Sequence, residues 1–271
     1  MDHENDLPLT GSHWGTYRAK IKNGKIEKLL GWEHDTDPSP IGSGILDIHN
    51  NSTRIDAPMV RKSWLESGPG SKNNLRGVDS YIAVSWDEAE KLIADELNRV
   101  RNNFGNSSIF GGSYGWASAG RFHHAQSQLH RFLNCIGGYT RSKFTYSFAA
   151  AEAMVPHILG SYRAYLDTCT SWDSIKENTE LFVCFGGVPL KNGQISQGGT
   201  GSHNQKKNII ETAEAGIKFI NFSPLKSDLL DEVNGEWYAL RPNTDTAIML
   251  GIAHTLHVEA LSDRDFLQSH T

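Results

Sequence analysis

The sequence predicts an α/β fold built on a parallel sheet, and three observations carry that expectation. Short apolar runs of strand character alternate with segments of helical periodicity along the chain. The two strongest runs, Glu180 to Phe185 and Ile217 to Phe222, are separated by one helical segment, which is the pattern of a β-α-β unit with a right-handed crossover. Both runs pass directly into glycine or small hydroxyl residues, Gly186-Gly187 and Ser223, as strand-to-helix loops commonly do.

The elements follow in order. Ser12 to Leu30 reads as an N-terminal β-hairpin, since Tyr17 to Ile21 alternates, Lys22-Asn23-Gly24-Lys25 carries the Asn-Gly turn signal and Ile26 resumes the strand. A Pro-, Gly- and Asn-rich loop stretch runs to about Arg76. Ser85-Trp86-Asp87-Glu88 then opens a helix with a capping box, and Ala89, Leu92, Ile93, Leu97 and Val100 have helical spacing. Ser108 to Phe110 is predicted as a short strand. A helix is predicted from Gly120 to Cys135, stopped by Gly137-Gly138. An alanine-rich helical stretch covers Thr145 to Leu159. After the strand at 180–185 come a helix over Asn204 to Ala215, the strand at 217–222 and a helix over Thr246 to Ala260. Asp263 to Leu267 begins another helix, so the sequence reads as a chain cut short.

Composition excludes several classes. Of 271 residues, 38% are hydrophobic and 21% charged, an ordinary globular balance with enough apolar material for a core. The formal net charge of −5, without long runs of either sign, is unlike a nucleic-acid or membrane-surface footprint. Cys135, Cys169 and Cys184 share no C-x-x-C spacing, which argues against a zinc, iron–sulfur or disulfide framework and for buried, inert thiols. The first residues are polar and acidic, no apolar signal region or twin-arginine pair follows, and no stretch is long enough to span a bilayer. The expected location is the cytoplasm, or the periplasm if a signal has been removed.

In open α/β sheets ligands collect beyond the carboxyl ends of the strands. Three such ends carry unusual residues: Gly111 to Gly120, Gly186 to Asn192, and Ser223 to Ser227. Glycines and hydroxyl residues at helix entrances expose backbone N–H groups to phosphates, and Lys191 and Lys226 add charge. A nucleotide-like ligand is one reading and simple turns are the other. Neither a G-x-G-x-x-G nor a P-loop is present. Tyr114 and Trp116 sit in the first of these loops, where a phenol and an indole N–H are useful beside a ligand. His123-His124 cannot both serve one metal, because adjacent helical residues point about 100° apart. His254 reads as a packed histidine.

One resemblance joins these pieces. Ser113-Tyr114-Gly115-Trp116-Ala117-Ser118, then Gly120, Gly137-Gly138-Tyr139 and Thr145-Tyr146-Ser147, resemble the reductases for dimethyl sulfoxide, trimethylamine N-oxide and biotin sulfoxide. Ala57-Pro58-Met59-Val60-Arg61-Lys62, Ser85-Trp86-Asp87-Glu88-Ala89, Thr170-Ser171-Trp172, and Asn243-Thr244-Asp245 leading to Gly251-Ile252-Ala253-His254 add to it in the same order. The likeness implies a molybdenum centre held by two molybdopterin guanine dinucleotides, without an iron–sulfur cluster. It places Ser147 at the position of the metal ligand. It places Tyr114 and Trp116 where aromatic donors meet the metal's oxo group or the substrate oxygen. Tyr114, Gly115, Trp116, Ala117 and Ser118 correspond to a cofactor-contacting loop, and Lys191, Asn192, Ser223, Asn243, Thr244 and Asp245 to dinucleotide contacts. A seryl alkoxide is a hard donor suited to high-valent molybdenum, and a carboxylate at Asp245 suits the donor edge of guanine.

The chain departs from the family pattern at Val188, where Asn is common, and at Ser223, where Asp is common. Both changes weaken the expected dinucleotide contacts. The implied organisation is an N-terminal β/loop region over 1–76, an α/β domain with the metal-ligand and aromatic loops over 77–170, and a Rossmann-like dinucleotide-binding domain over 171–271, incomplete relative to a four-domain fold. The implied activity is reduction of an S-oxide or N-oxide by oxygen-atom transfer, with an unidentified electron donor, no nucleic acid and no membrane insertion. A nucleotide-binding module without redox chemistry and an inactive truncated remnant are the alternatives.

Overall fold

The computed structural model describes residues 6–49, 51–71, 73–112, 124–196 and 198–270. Their packing divides the chain into two compact units, one of residues 1–33, 39–162 and 196–201, the other of 34–38, 163–195 and 202–271.

The first unit opens with an antiparallel sheet of β1 (Leu9–Ser12), β2 (Gly15–Lys22) and β3 (Lys25–Gly31). The β2–β3 turn puts Asn23 at φ 52° and Gly24 at φ 74°, the left-handed pair that an Asn-Gly hairpin turn requires. Tyr17 on β2 is 3% exposed, and its hydroxyl donates to the Ser39 carbonyl at 2.9 Å. The stretch expected to be loop holds more than that: α1 (Gly44–His49), β4 (Met59–Arg61) and α2 (Lys62–Ser67), with β4 paired antiparallel to β5 (Tyr81–Ala83).

The helix α3 (Trp86–Phe104) starts as its sequence dictates. Ser85 is the N-cap and its hydroxyl accepts from the Glu88 amide at 3.2 Å. The strand expected at 108–110 is displaced. Residues 106–108 form a 3-10 turn, and the strand is β6 (Phe110–Gly111), parallel to β7 (Thr140–Arg141). Gly111 is required there, because a Cβ would lie 2.1 Å from a methyl of Leu133. Leu133 belongs to α4 (Ala125–Cys135), the described part of the helix expected over 120–135. The helix expected from Thr145 begins later, as α5 (Ala149–Leu159), and ends at Gly160. A short helix, α6 (Tyr162–Asp167), follows.

The second unit centres on a parallel three-stranded sheet with strand order β10 (Glu236–Ala239), β9 (Lys218–Ser223), β8 (Leu181–Phe185). Before β8 lies α7 (Trp172–Asn178), capped by the Ser171 hydroxyl. Between β8 and β9 lie α8 (Leu190–Gly193) and α9 (Gln205–Glu214). Strand period fixes two faces on β9. Phe219, Asn221 and Ser223 are buried at 4%, 0% and 0% exposure. On the other face Phe222 stacks between Phe185 and Tyr238, at 5.3 Å from each ring. The core joins Cys184, Ile209, Ile217, Phe219, Leu229 and Val233. Burial pushes the Cys184 thiol up to about 11. Contrary to expectation, Cys135 and Cys169 are exposed. The final helices are α10 (Asp245–Val258) and α11 (Arg264–His270). His254 on α10 is exposed, not packed. Among the described residues no helix is long and apolar enough to cross a membrane.

Candidate functional site

The residues singled out by sequence fall in both units. Tyr114, Gly115, Trp116, Ala117 and Ser118 lie outside the described residues, as do Ser113 and His123.

In the first unit the informative feature is the turn ahead of α5. Phe144 has φ 64°, and the amide of Thr145 donates to a carboxylate oxygen of Glu152 at 2.9 Å. Glu152 lies in the first turn of α5, where a carboxylate also complements the helix dipole. That hydrogen bond folds 145–148 back over the helix entrance. Phe148 is the N-cap and makes no side-chain cap bond, so Ser147 is neither the cap nor part of the helix. It stands exposed in the turn, next to a fully exposed Tyr146. The Thr145 hydroxyl oxygen is buried without a hydrogen-bond partner.

In the second unit the carboxyl ends of β8 and β9 are tied together by one residue that sequence reasoning missed, Asp228. Its backbone carbonyl accepts from the Val188 amide at 2.7 Å. Its carboxylate accepts a short hydrogen bond from the Ser223 hydroxyl and lies 3.5 Å from the ammonium of Lys191. Gly187, at φ 76°, makes room for it, since a Cβ there would sit 2.3 Å from the Asp228 carbonyl oxygen. Ser223 itself is fully buried, and its hydroxyl also accepts from the Leu225 amide at 3.3 Å. The expected contact from this hydroxyl to a dinucleotide therefore meets a different arrangement. The hydroxyl is committed to the protein, and the acid reached through it is Asp228. The backbone amide of Val188, like its apolar side chain, is turned to the protein.

Lys191, Asn192 and Asn243 are exposed, and Thr244 and Asp245 are half-buried. Asn243 adopts φ 66°, and the Thr244 hydroxyl donates to the Arg241 carbonyl at 2.7 Å. This turn delivers Asp245 as the first residue of α10. The accessible groups thus offer an ammonium, two amides and a carboxylate, a donor and acceptor set suited to phosphates and to a purine edge. Lys191, Asn192 and Asn243 fit such a group in chemistry and accessibility. Ser223 fits only as a buried support. Among the described residues no cluster of three or more His, Cys, Asp or Glu is placed to hold a metal ion.

The same unit contains a buried ionisable pair that sequence reasoning also missed. The Asp35 carboxylate accepts from the backbone amide of His203 at 2.9 Å and meets its Nδ1 at 2.7 Å, and Nε2 faces the Gln194 carbonyl at 3.0 Å. Burial works to raise the Asp35 carboxyl, but hydrogen bonds from the His203 amide, the His203 ring and the Asp37 amide outweigh it and hold the carboxyl below its ordinary range. The pair anchors segment 34–38 and is structural.

Comparison with known proteins gives these residues a common context. The molybdopterin oxidoreductase profile matches residues 54–267, and the molybdopterin oxidoreductase N-terminal domain profile matches residues 10–48. The chain is 38% identical over 263 residues to a dimethyl sulfoxide/trimethylamine N-oxide reductase of Cereibacter sphaeroides, which covers 97% of the chain and 32% of that relative. It is 42% identical over 234 residues to a biotin sulfoxide reductase of the same organism, covering 86% of the chain and 32% of the relative. A trimethylamine-N-oxide reductase of Haemophilus influenzae is 35% identical over 265 residues, covering 97% of the chain and 32% of the relative. The chain thus spans about a third of the length of these relatives. With profiles of one family covering it from residue 10 to residue 267, the chain belongs to the molybdopterin oxidoreductases.

Proposed function

We propose that these residues serve as the N-terminal third of a molybdenum-dependent enzyme that reduces S-oxides or N-oxides. The observation that carries this reading is the end-to-end match to reductases named for such substrates, over 97% of the chain in the first of them. When bound, a molybdenum–molybdopterin group supplies the two-electron exchange that removes oxygen from an S–O or N–O bond. The chain's own residues bind, orient and donate hydrogen bonds.

Ser147 is the metal ligand in this proposal. Its exposure in a turn braced by Glu152 supports the role, because a ligand must be both accessible and fixed. Tyr114 and Trp116 donate to the substrate oxygen, which favours negative charge build-up there as the bond breaks. The loop Tyr114 to Ser118 contacts the pterin. Lys191, Asn192, Asn243, Thr244 and Asp245 hold a guanine dinucleotide, with Ser223 acting indirectly through Asp228. Two such dinucleotides per metal, no iron–sulfur cluster among these residues, a Rossmann-like second half and the boundaries near 77 and 171 complete the proposal. So do a cytoplasmic location, or a periplasmic one if a signal has been removed, and an electron donor still to be identified.

Two measurements on the whole enzyme test it. Elemental analysis should find molybdenum in the purified protein, and its absence would favour the nucleotide-binding module without redox chemistry. Ser147→Ala should abolish reduction of dimethyl sulfoxide, trimethylamine N-oxide and biotin sulfoxide alike. Near-normal turnover by that variant would end the ligand assignment.

A further inference from the structure

Asn221 is an odd residue for its place. It lies in the middle strand of the parallel sheet, between the buried residues Phe219 and Ser223 on the same face, and it is 0% exposed. Asn is disfavoured in strand interiors, and a buried amide carries a desolvation cost unless all its polar atoms are bonded. Neither its Nδ2 nor its Oδ1 has a hydrogen-bond partner in the protein.

The amide borders a cavity of about 60 Å³, whose polar wall is completed by Lys226, Asp231 and Asn234. The indole of Trp237 closes one side. Its N–H is already donated to the Ser223 carbonyl at 2.9 Å, so it presents only ring surface. At Gly235 even a Cβ would stand 2.6 Å from Leu229 and 3.0 Å from Phe219, which shows how tightly that side is already packed.

We infer that this cavity is a built site for ordered water that bridges Asn221 on β9 to the loop 226–235. A water needs about 10–15 Å³ of room for its centre and two to four polar partners, so the volume and the polar wall suit ordered water. The occupant is neutral, because the wall carries one cation, Lys226, and one carboxylate, Asp231, which oppose an ion of either sign. The two amides, Asn221 and Asn234, each offer donors and an acceptor, and only water can serve both kinds of group in so small a space. The site fastens the loop that bears Lys226 to the carboxyl half of the central strand. It is independent of any cofactor reading.

A high-resolution crystal structure of the chain tests this directly. Water density within hydrogen-bond reach of Asn221 Nδ2 and Oδ1 is expected, and it should be lost in Asn221→Leu. An Asn221 amide bonded to protein atoms with no peaks beside it would overturn the inference, as would peaks that persist in Asn221→Leu. A bromide soak should leave no anomalous peak there, and a strong one would replace water with an anion. Should Asn221→Leu not fold, solution spectra of the unaltered chain decide the matter. The Asn221 side-chain NH2 should show cross-relaxation with long-lived water, and the lack of any such signal counts against the site.

Discussion

Helices α9 and α10 belong to the same unit and make opposite use of their apolar residues. In α9, Ile209 and Thr212 are 0% exposed, and Ile209 joins the core with Phe219 of β9. In α10 no residue is buried, although Met249, Leu250, Ile252, Leu256 and Val258 are all large and apolar. The difference is one of pattern. A helix with one apolar stripe can be satisfied by one sheet, whereas a helix apolar on several sides is built for cover on several sides. Its own unit supplies too little. A groove along α10, lined by Ala247, Ile248, Gly251, Ile252, Thr255 and Leu256, makes the same point. Helix α9 shows what a helix looks like when such cover is in hand.

Substitutions sharpen that contrast. Ile209→Ala should have the largest effect, a loss of about 2–5 kcal/mol in chemical denaturation, because it opens a cavity in a packed core. An effect below about 1 kcal/mol would mean that α9 is no better anchored than α10. Asp35→Asn comes next, at about 1–3 kcal/mol, since it leaves buried donors of His203 short of an acceptor. This variant also has a pH signature. The folded Asp35 carboxyl is held below its unfolded value, so its contribution is present above the ordinary carboxylate range and is lost as pH falls through the folded value. Thermal midpoints measured down to acid pH should fall more steeply for the unaltered chain than for Asp35→Asn. Equal slopes would remove Asp35 as the cause. Leu250→Gln on α10 should be the mildest, within about 0.5 kcal/mol, while reducing the binding of a hydrophobic dye. A large loss of stability from that change would show α10 to be covered in solution.

How much of this was legible in the sequence depends on how local the cause is. The start of α3 was readable because Ser85 and Glu88 are three residues apart and settle the cap between themselves. The span of α9 was readable for similar reasons, to within a residue at each end. The start of α5 was not. The alanine-rich run continues helical propensity back past Ser147, but a hydrogen bond from Thr145 to Glu152 turns the chain first. Strand β10 was missed because four residues carry little pattern, and its partner β9 supplies the hydrogen bonds. At the strand end, Ser223 was assigned to a dinucleotide through the family resemblance, which says nothing of its burial. Period two would have placed it on the face of Phe219, hence inside, and would have drawn notice to Asn221 as well. Asp228, five residues further on, had no local signal.

The pairing of Asp35 with His203 joins positions 168 residues apart. At ribosomal rates of about 5–20 residues per second, the carboxylate leaves the exit tunnel on the order of ten to thirty seconds before the imidazole that will receive it. For that interval segment 34–38 has neighbours on both sides that can already form their hairpin and helices, yet nowhere of its own to settle. The birth of the polypeptide is therefore out of step with its architecture, and an early stretch must wait on a late one before the second unit can be finished.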